Sequence, residues 1–202
     1  MQIKANFVDI KNRKITPSLV VIKNGFISSV KEIDEECSTF ILPGFIDAHI
    51  HIESSMLIPS EFARLAVVHG SVATVSDPHE IANVLGMEGV AFMLDNAKKT
   101  NFKFFFGASP CVPATPFETS GATLDVEAVS KLLQNPQIKF LSEVMNFPGV
   151  IVQDEDMMQK INAAKEHNKP IDGHAPALRG DDLSTYINTG ISTDHEAFSY
   201  EE

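Results

Sequence analysis

Cysteine is scarce in this chain of 202 residues, which has two. Cys37 and Cys111 stand far apart and in no C-x-x-C, so neither a disulfide framework nor a zinc ribbon is available, and a reducing cytoplasm is the expected setting. Positive charge is also short: 16 Lys and Arg face 27 Asp and Glu, a net charge of −11. No basic run is long enough to follow a phosphate backbone, so nucleic acid is not an expected partner. Long apolar runs are missing, since none approaches the roughly 18 residues of a membrane span. Met1-Gln2-Ile3-Lys4-Ala5-Asn6 has no apolar signal core. A soluble, intracellular protein without a membrane partner is therefore expected. The phosphate-cradling patterns G-x-x-x-x-G-K-[ST] and G-x-G-x-x-G and the serine-hydrolase pattern G-x-S-x-G are all absent. His79-Glu80 and His195-Glu196 lack the second histidine of H-E-x-x-H, and two isolated cysteines exclude the H-x-E with P-C-x-x-C nucleobase deaminases.

What is present is a globular composition, 44% hydrophobic and 21% charged, enough to bury a core. Residues 1–40 read as a small β-segment: Leu19–Lys23 and Phe26–Val30 flank Asn24-Gly25, a dipeptide that accepts positive φ and so favours a hairpin. Residues 41–202 alternate apolar runs with helical periods, as parallel βα units do. The expected strands are Gly44–His51, Ser71–Ser76, Lys103–Ala108, Ile138–Met145, Pro170–His174 and Ile191–His195. Between them lie stripes such as Phe62, Leu65, Ala66 and His69, or Met87, Val90, Ala91 and Leu94, each expected to pack on a sheet. The expected fold is α/β: about six βα units of a (β/α)8 TIM-like barrel or of a doubly wound sheet, preceded by a small β-segment. A full barrel takes roughly 250 residues, so the expectation is a truncated chain or gene fragment, or else an open sheet.

The chemistry-bearing residues fall at strand ends. His49 and His51 in Asp47-Ala48-His49-Ile50-His51 share one face by the period of two, so both imidazoles can reach one cation; the plainer reading is a pair of hydrogen-bonded strand-end histidines. Glu143, His174 and His195 recur at the ends of the fourth, fifth and sixth strands, and a barrel gathers such ends at one mouth. A carboxylate among imidazoles suits divalent transition metals and can bridge two. His79, in the turn Asp77-Pro78-His79, faces either the mouth or the start of the next helix as a cap. His69 and His167 read as structural or solvated.

These residues resemble the amidohydrolase superfamily and, within it, the adenine deaminase family. The general likeness lies in Leu42-Pro43-Gly44-Phe45-Ile46-Asp47-Ala48-His49-Ile50-His51 and the preceding hairpin, and it implies a partial (β/α)8 TIM-like barrel in residues 41–202, with residues 1–40 supplying strands of a composite β-sandwich. The narrower likeness lies in His51-Ile52-Glu53-Ser54-Ser55-Met56, in Ser76-Asp77-Pro78-His79-Glu80-Ile81-Ala82-Asn83-Val84, in Gly173-His174-Ala175-Pro176 and in Gly190 through Glu196. The resemblance implies two divalent ions, Mn2+ or Fe2+ first and Zn2+ as the alternative. His49 and His51 would hold one, His174 and His195 the other, and Glu143 would bridge them. It also implies hydrolytic conversion of adenine to hypoxanthine and ammonia, with a purine as the small-molecule partner, Glu143 at the reacting centre, and His79 and Glu53 as further catalytic or substrate-contact candidates. The family's aspartate at the end of strand eight has no counterpart here, so little turnover by these residues alone is expected. An unpaired strand edge favours a homo-oligomer. Two other readings remain: an amidohydrolase acting on a cyclic amide or N-acetyl group, against which the His-Ile-Glu-Ser-Ser and Asp-Pro-His-Glu segments argue, and a non-catalytic metal-binding fragment.

Overall fold

The computed structural model describes residues 1–115 and 117–202. The chain divides into two compact units, Met1–Gly44 and Phe45–Glu202. In the first, β1 (Gln2–Asp9), β2 (Lys14–Lys23), β3 (Phe26–Glu32) and β4 (Phe40–Ile41) form one sheet in the order β3-β2-β1-β4. The β2–β3 turn has Asn24 at φ 51° and Gly25 at φ 80°, the positive values that match the twist of a two-residue hairpin.

The second unit carries a six-stranded parallel sheet whose order follows the chain: β5 (Phe45–Ile50), β6 (Ser71–Ser76), β7 (Lys103–Ala108), β8 (Ile138–Val144), β9 (Ile171–Gly173) and β10 (Thr193–Asp194). All six lie where the apolar runs predict them. Laid flat, the outer strands of such a sheet stand five spacings apart, about 24 Å. Instead the rings of His49, on β5, and His195, just past β10, stack with centroids 3.7 Å apart. The sheet is therefore curled into a half-barrel, with its strand ends meeting at one rim.

Helices on the outer face produce the curl's apolar backing. α1 (Pro59–Ala66), α2 (His79–Ala97), α3 (Val126–Gln134), α5 (Glu155–Glu166) and α6 (Gly180–Asn188) match the sequence periods, whereas the short α4 (Phe147–Ile151) is not foreshadowed by them. Local chemistry sets their starts. Pro59 opens α1, Asp125 accepts from the Ala128 amide at 2.8 Å, Asn146 from Gly149 at 3.0 Å, and Asp154 from Met157 at 3.1 Å. Phe106, Leu133, Ile138, Leu141 and Ile161 bury themselves between sheet and helices. Of the two stripes named above, Leu65, His69 and Ala91 depart from expectation and are exposed. In Leu65's case α1 stops at Ala66 and the next three residues form a separate 3-10 turn, so the helical period does not run on to His69. No helix among the described residues is long and apolar enough to cross a membrane.

α2 contains a break. Gly86 sits at φ 58°, ψ −139°, a conformation open essentially to glycine. The Asn83 carbonyl, freed by the break, accepts both the Gly121 and the Ala122 amides, at 2.8 and 3.1 Å. The first turns of α2 are thus tied to the loop that follows β7.

Candidate metal centre

Two register shifts set up the rim. On β5, Asp47 pairs with Thr74 but Ile50 with Ser76; on β8, Leu141 pairs with Ile171 but Val144 with Gly173. Each shift places one extra residue on the longer side, a bulge that re-aims the side chains within it. His49 lies in the first bulge and Glu143 in the second. Glu143 also has φ 44°, a left-handed conformation costing about 1–3 kcal/mol for a residue with a side chain. That strain turns its carboxylate into the cluster, where the residue is 1% exposed.

Hydrogen bonding then fixes which imidazole nitrogens face inward. His51 Nδ1 lies 2.9 Å from the Asp77 carbonyl oxygen, which can only accept, so Nδ1 carries the hydrogen and Nε2 presents a lone pair. That lone pair faces Glu143 Oε1 at 2.8 Å and His49 Nε2 at 3.2 Å; His49 Nε2 is 3.1 Å from the same oxygen. Across the rim, His195 Nδ1 donates to Asp172 Oδ2 at 2.9 Å, leaving Nε2 to face His174 Nδ1 at 3.2 Å and Glu143 Oε1 at 3.8 Å. His174 Nδ1 is 3.9 Å from Glu143 Oε2.

The Nε2 lone pairs of His51 and His195 and the Glu143 carboxylate are thus acceptors that converge on one space. Glu143 Oε1 is buried and receives no well-formed hydrogen bond. A cation resolves the arrangement: metal–nitrogen bonds of about 2.0–2.1 Å put neighbouring ligands about 3.0–3.4 Å apart, the spacing of both imidazole pairs. The residues therefore fit a metal. Sets of His, Asp and Glu capable of holding an ion include Glu143 with His174 and His195, and His51 with Asp77, His79 and Glu143.

Without a cation, a proton must stand in. Burial opposes charge on His51, but the Glu143 carboxylate overrides it and raises the imidazole to about 9. Burial likewise opposes ionisation of Glu143, yet His49 and His51, facing its Oε1 at 3.1 and 2.8 Å and able to donate once protonated, hold it well below the ordinary carboxylate range. His79 and His195 are raised against burial by Asp77 and Asp172 respectively.

The structure brings His49, His51, Glu143, His174 and His195 together, and His79 with them. His79 does not cap its helix: Pro78 occupies the capping position and the His79 ring turns inward. Its Nδ1 bonds Asp77 Oδ2 at 2.9 Å, and its ring lies 4.6 Å from that of His51. The capping duty falls to Glu53 in the 3-10 turn Ile52–Ser55, whose Oε1 accepts the Ile81 amide at 3.2 Å. Glu53 Oε2 is buried without a donor, and burial raises the group's pKa. His69 and His167 lie outside the cluster, His69 exposed in its 3-10 turn and His167 at the end of α5.

Sequence reasoning passed over Asp77, Asp172 and Tyr186. Asp77 stands two residues from His79 and was open to discovery as a D-x-H pair. Asp172 serves His195 rather than the nearer His174, and only the β9–β10 register, Thr193 against Asp172, reveals it. Thr193 Oγ1 donates to Asp172 Oδ1 at 2.6 Å and holds it in place.

Residues 40–202 match the amidohydrolase family. Among curated relatives, the adenine deaminase of Sulfurovum sp. (strain NBC37-1) is 67% identical over 202 residues, all of this chain and 38% of that protein. The adenine deaminase of Methanosarcina mazei is 56% identical over 96% of this chain and 35% of its own length, and that of Borreliella afzelii 55% over 100% and 37%. The chain thus spans a little over a third of these relatives. Among solved structures, N-isopropylammelide isopropylaminohydrolase from Burkholderia multivorans superposes with a TM-score of 0.51 at 13% identity, over 92% of this chain and 55% of that one, a likeness of fold.

Proposed function

This chain belongs to the amidohydrolase family, and from that premise we propose that it carries the metal-binding half-barrel of an adenine deaminase, converting adenine and water to hypoxanthine and ammonia. The observation that carries the reading is the buried Glu143 carboxylate, held in a strained conformation with its Oε1 facing Nε2 of both His49 and His51 at 3.1 and 2.8 Å. Support for adenine as substrate comes from relatives of that name matching essentially the whole chain at more than half identity.

In this reading His49, His51 and Glu143 hold one divalent ion, and Glu143, His174 and His195 hold a second. Manganese or iron is the proposed loading, with zinc as the alternative, since imidazole and carboxylate donors accept all three. When bound, such ions supply Lewis acidity and bring the ionisation of water toward neutral pH. The chain's own groups do the rest. Asp77 fixes the Nδ1 hydrogen of His79, which leaves Nε2 free to exchange a proton with the substrate. Glu53, with its raised pKa and buried free oxygen, is the second proton-bearing group beside the mouth. Asp172 and the Asp77 carbonyl hold His195 and His51 with Nε2 inward.

The test pairs metal analysis with two assays. The 202 residues, equilibrated with Mn2+, are expected to bind close to two ions per chain and to release ammonia slowly. A protein carrying them within the full length of the relatives is expected to release ammonia from adenine and to leave a dihydropyrimidine ring closed. A folded chain that binds no metal, or ring opening without ammonia release, overturns the proposal.

A further inference from the structure

Tyr186 projects from α6 toward the rim and is 1% exposed. Its phenol donates to the Val144 carbonyl at 2.7 Å and accepts the His174 amide at 3.0 Å. One oxygen therefore joins the residue after Glu143 to the backbone of a second member of the cluster. The backbone geometry leaves work for it: between Leu141 and Val144 the β8–β9 ladder is interrupted by the bulge, so strand pairing does not restrain Glu143 in its left-handed conformation. The approach is also reserved for it. A Cβ at Gly173 would lie 2.9 Å from the phenol oxygen and 2.8 Å from Asp194 Oδ2, so the end of β9 admits Tyr186 because that residue is glycine. Burial keeps the phenol protonated far above ordinary pH, and its O–H is a permanent donor.

We propose that Tyr186 is a positioning residue of the metal centre: its hydroxyl fixes the Glu143 bulge against the end of β9, and so sets the bite between the shared carboxylate and His174. The hydroxyl touches neither ion nor substrate in this role; it acts through the backbones of Val144 and His174. The inference rests on the metal-centre reading above.

The test compares three variants of the protein by metal content, Co2+ titration followed by visible absorption, and thermal unfolding of the metal-free form. Tyr186→Phe keeps the ring and removes the oxygen. Thr189→Val is the control, since Thr189 Oγ1 donates to the Tyr186 carbonyl at 2.6 Å within the same helix end and reaches no member of the cluster. Glu143→Gln tests the centre itself. Tyr186→Phe is expected to weaken one of two ions roughly tenfold or more, the usual cost of losing an outer partner, and to change the Co2+ spectrum, while Thr189→Val keeps both ions and the parental spectrum. Parental affinity and spectrum in Tyr186→Phe, or equal weakening in Thr189→Val, overturns the inference. Should Tyr186→Phe not fold, Gly173→Ala, whose methyl crowds the same oxygen, takes its place with the same expectation. Parental binding of two ions by Glu143→Gln would instead overturn the metal-centre reading, and the role of Tyr186 with it.

Discussion

Asp172 shows how far a single side chain can act from the chemistry it serves. It accepts from His195 Nδ1 with one oxygen and from Thr193 Oγ1 with the other, at 2.9 and 2.6 Å, so the imidazole has one tautomer and one orientation. Outer partners of this kind typically contribute 10- to 100-fold to metal affinity. Asp172→Ala is accordingly expected to weaken Co2+ binding by roughly 10–100-fold with the far-ultraviolet circular dichroism unchanged; equal affinity in the variant would show that His195 needs no such support. The members of the cluster were readable from the sequence because His49, His51, Glu143, His174 and His195 recur at equivalent strand ends. Their supporting residues were not, because Asp172 and Tyr186 lie beside their partners only once strands and helices have packed. The left-handed conformation of Glu143 had no sequence signal either, as a glutamate ordinarily avoids positive φ.

At the level of elements, apolar runs and turn residues foretold six strands and most helices, since period and punctuation are local properties. The break in α2 was not foretold. Met87, Val90, Ala91 and Leu94 continue a helical stripe beyond Gly86, and the stripe is silent about what happens at the glycine. Only the loop carrying Gly121 and Ala122, which takes the freed Asn83 carbonyl, explains the break. Gly86→Ala would need positive φ from a residue with a Cβ, and that Cβ would meet Ala122 Cβ at 3.1 Å. A destabilisation of about 1–3 kcal/mol is expected, read as a fall in melting temperature of roughly 2–4 °C per kcal/mol for a chain of this size. An unchanged melting temperature would mean that α2 straightens at no cost. His79, at the start of the same helix, shows the limit in another way: its position left the mouth and the helix cap equally open, and Glu53, in the turn after β5, does the capping instead.

Across the whole molecule the cluster couples stability to pH. In the metal-free protein His51 is raised to about 9 from an ordinary 6.5, so the stabilisation from its pairing with Glu143 is complete below about 6.5 and lost as pH climbs through about 9. Glu143 is lowered from 4.5, so the same pairing is present above that value and lost as pH falls. Urea midpoints of chelator-treated protein are expected to be highest between about pH 4.5 and 6.5 and to decline toward pH 9; a flat profile over the alkaline half would contradict the pairing. The curl of the sheet has a consequence for assembly as well. His49 belongs to the first strand of the half-barrel and His195 follows the last, yet their rings stack at 3.7 Å, a contact that long loop closure makes slow to form. No partial intermediate holding only the early strands can bring His49, Glu143 and His195 together. Under the proposed two-ion reading, tight binding at both sites would mark a chain in which every βα unit from the first to the sixth has found its neighbour.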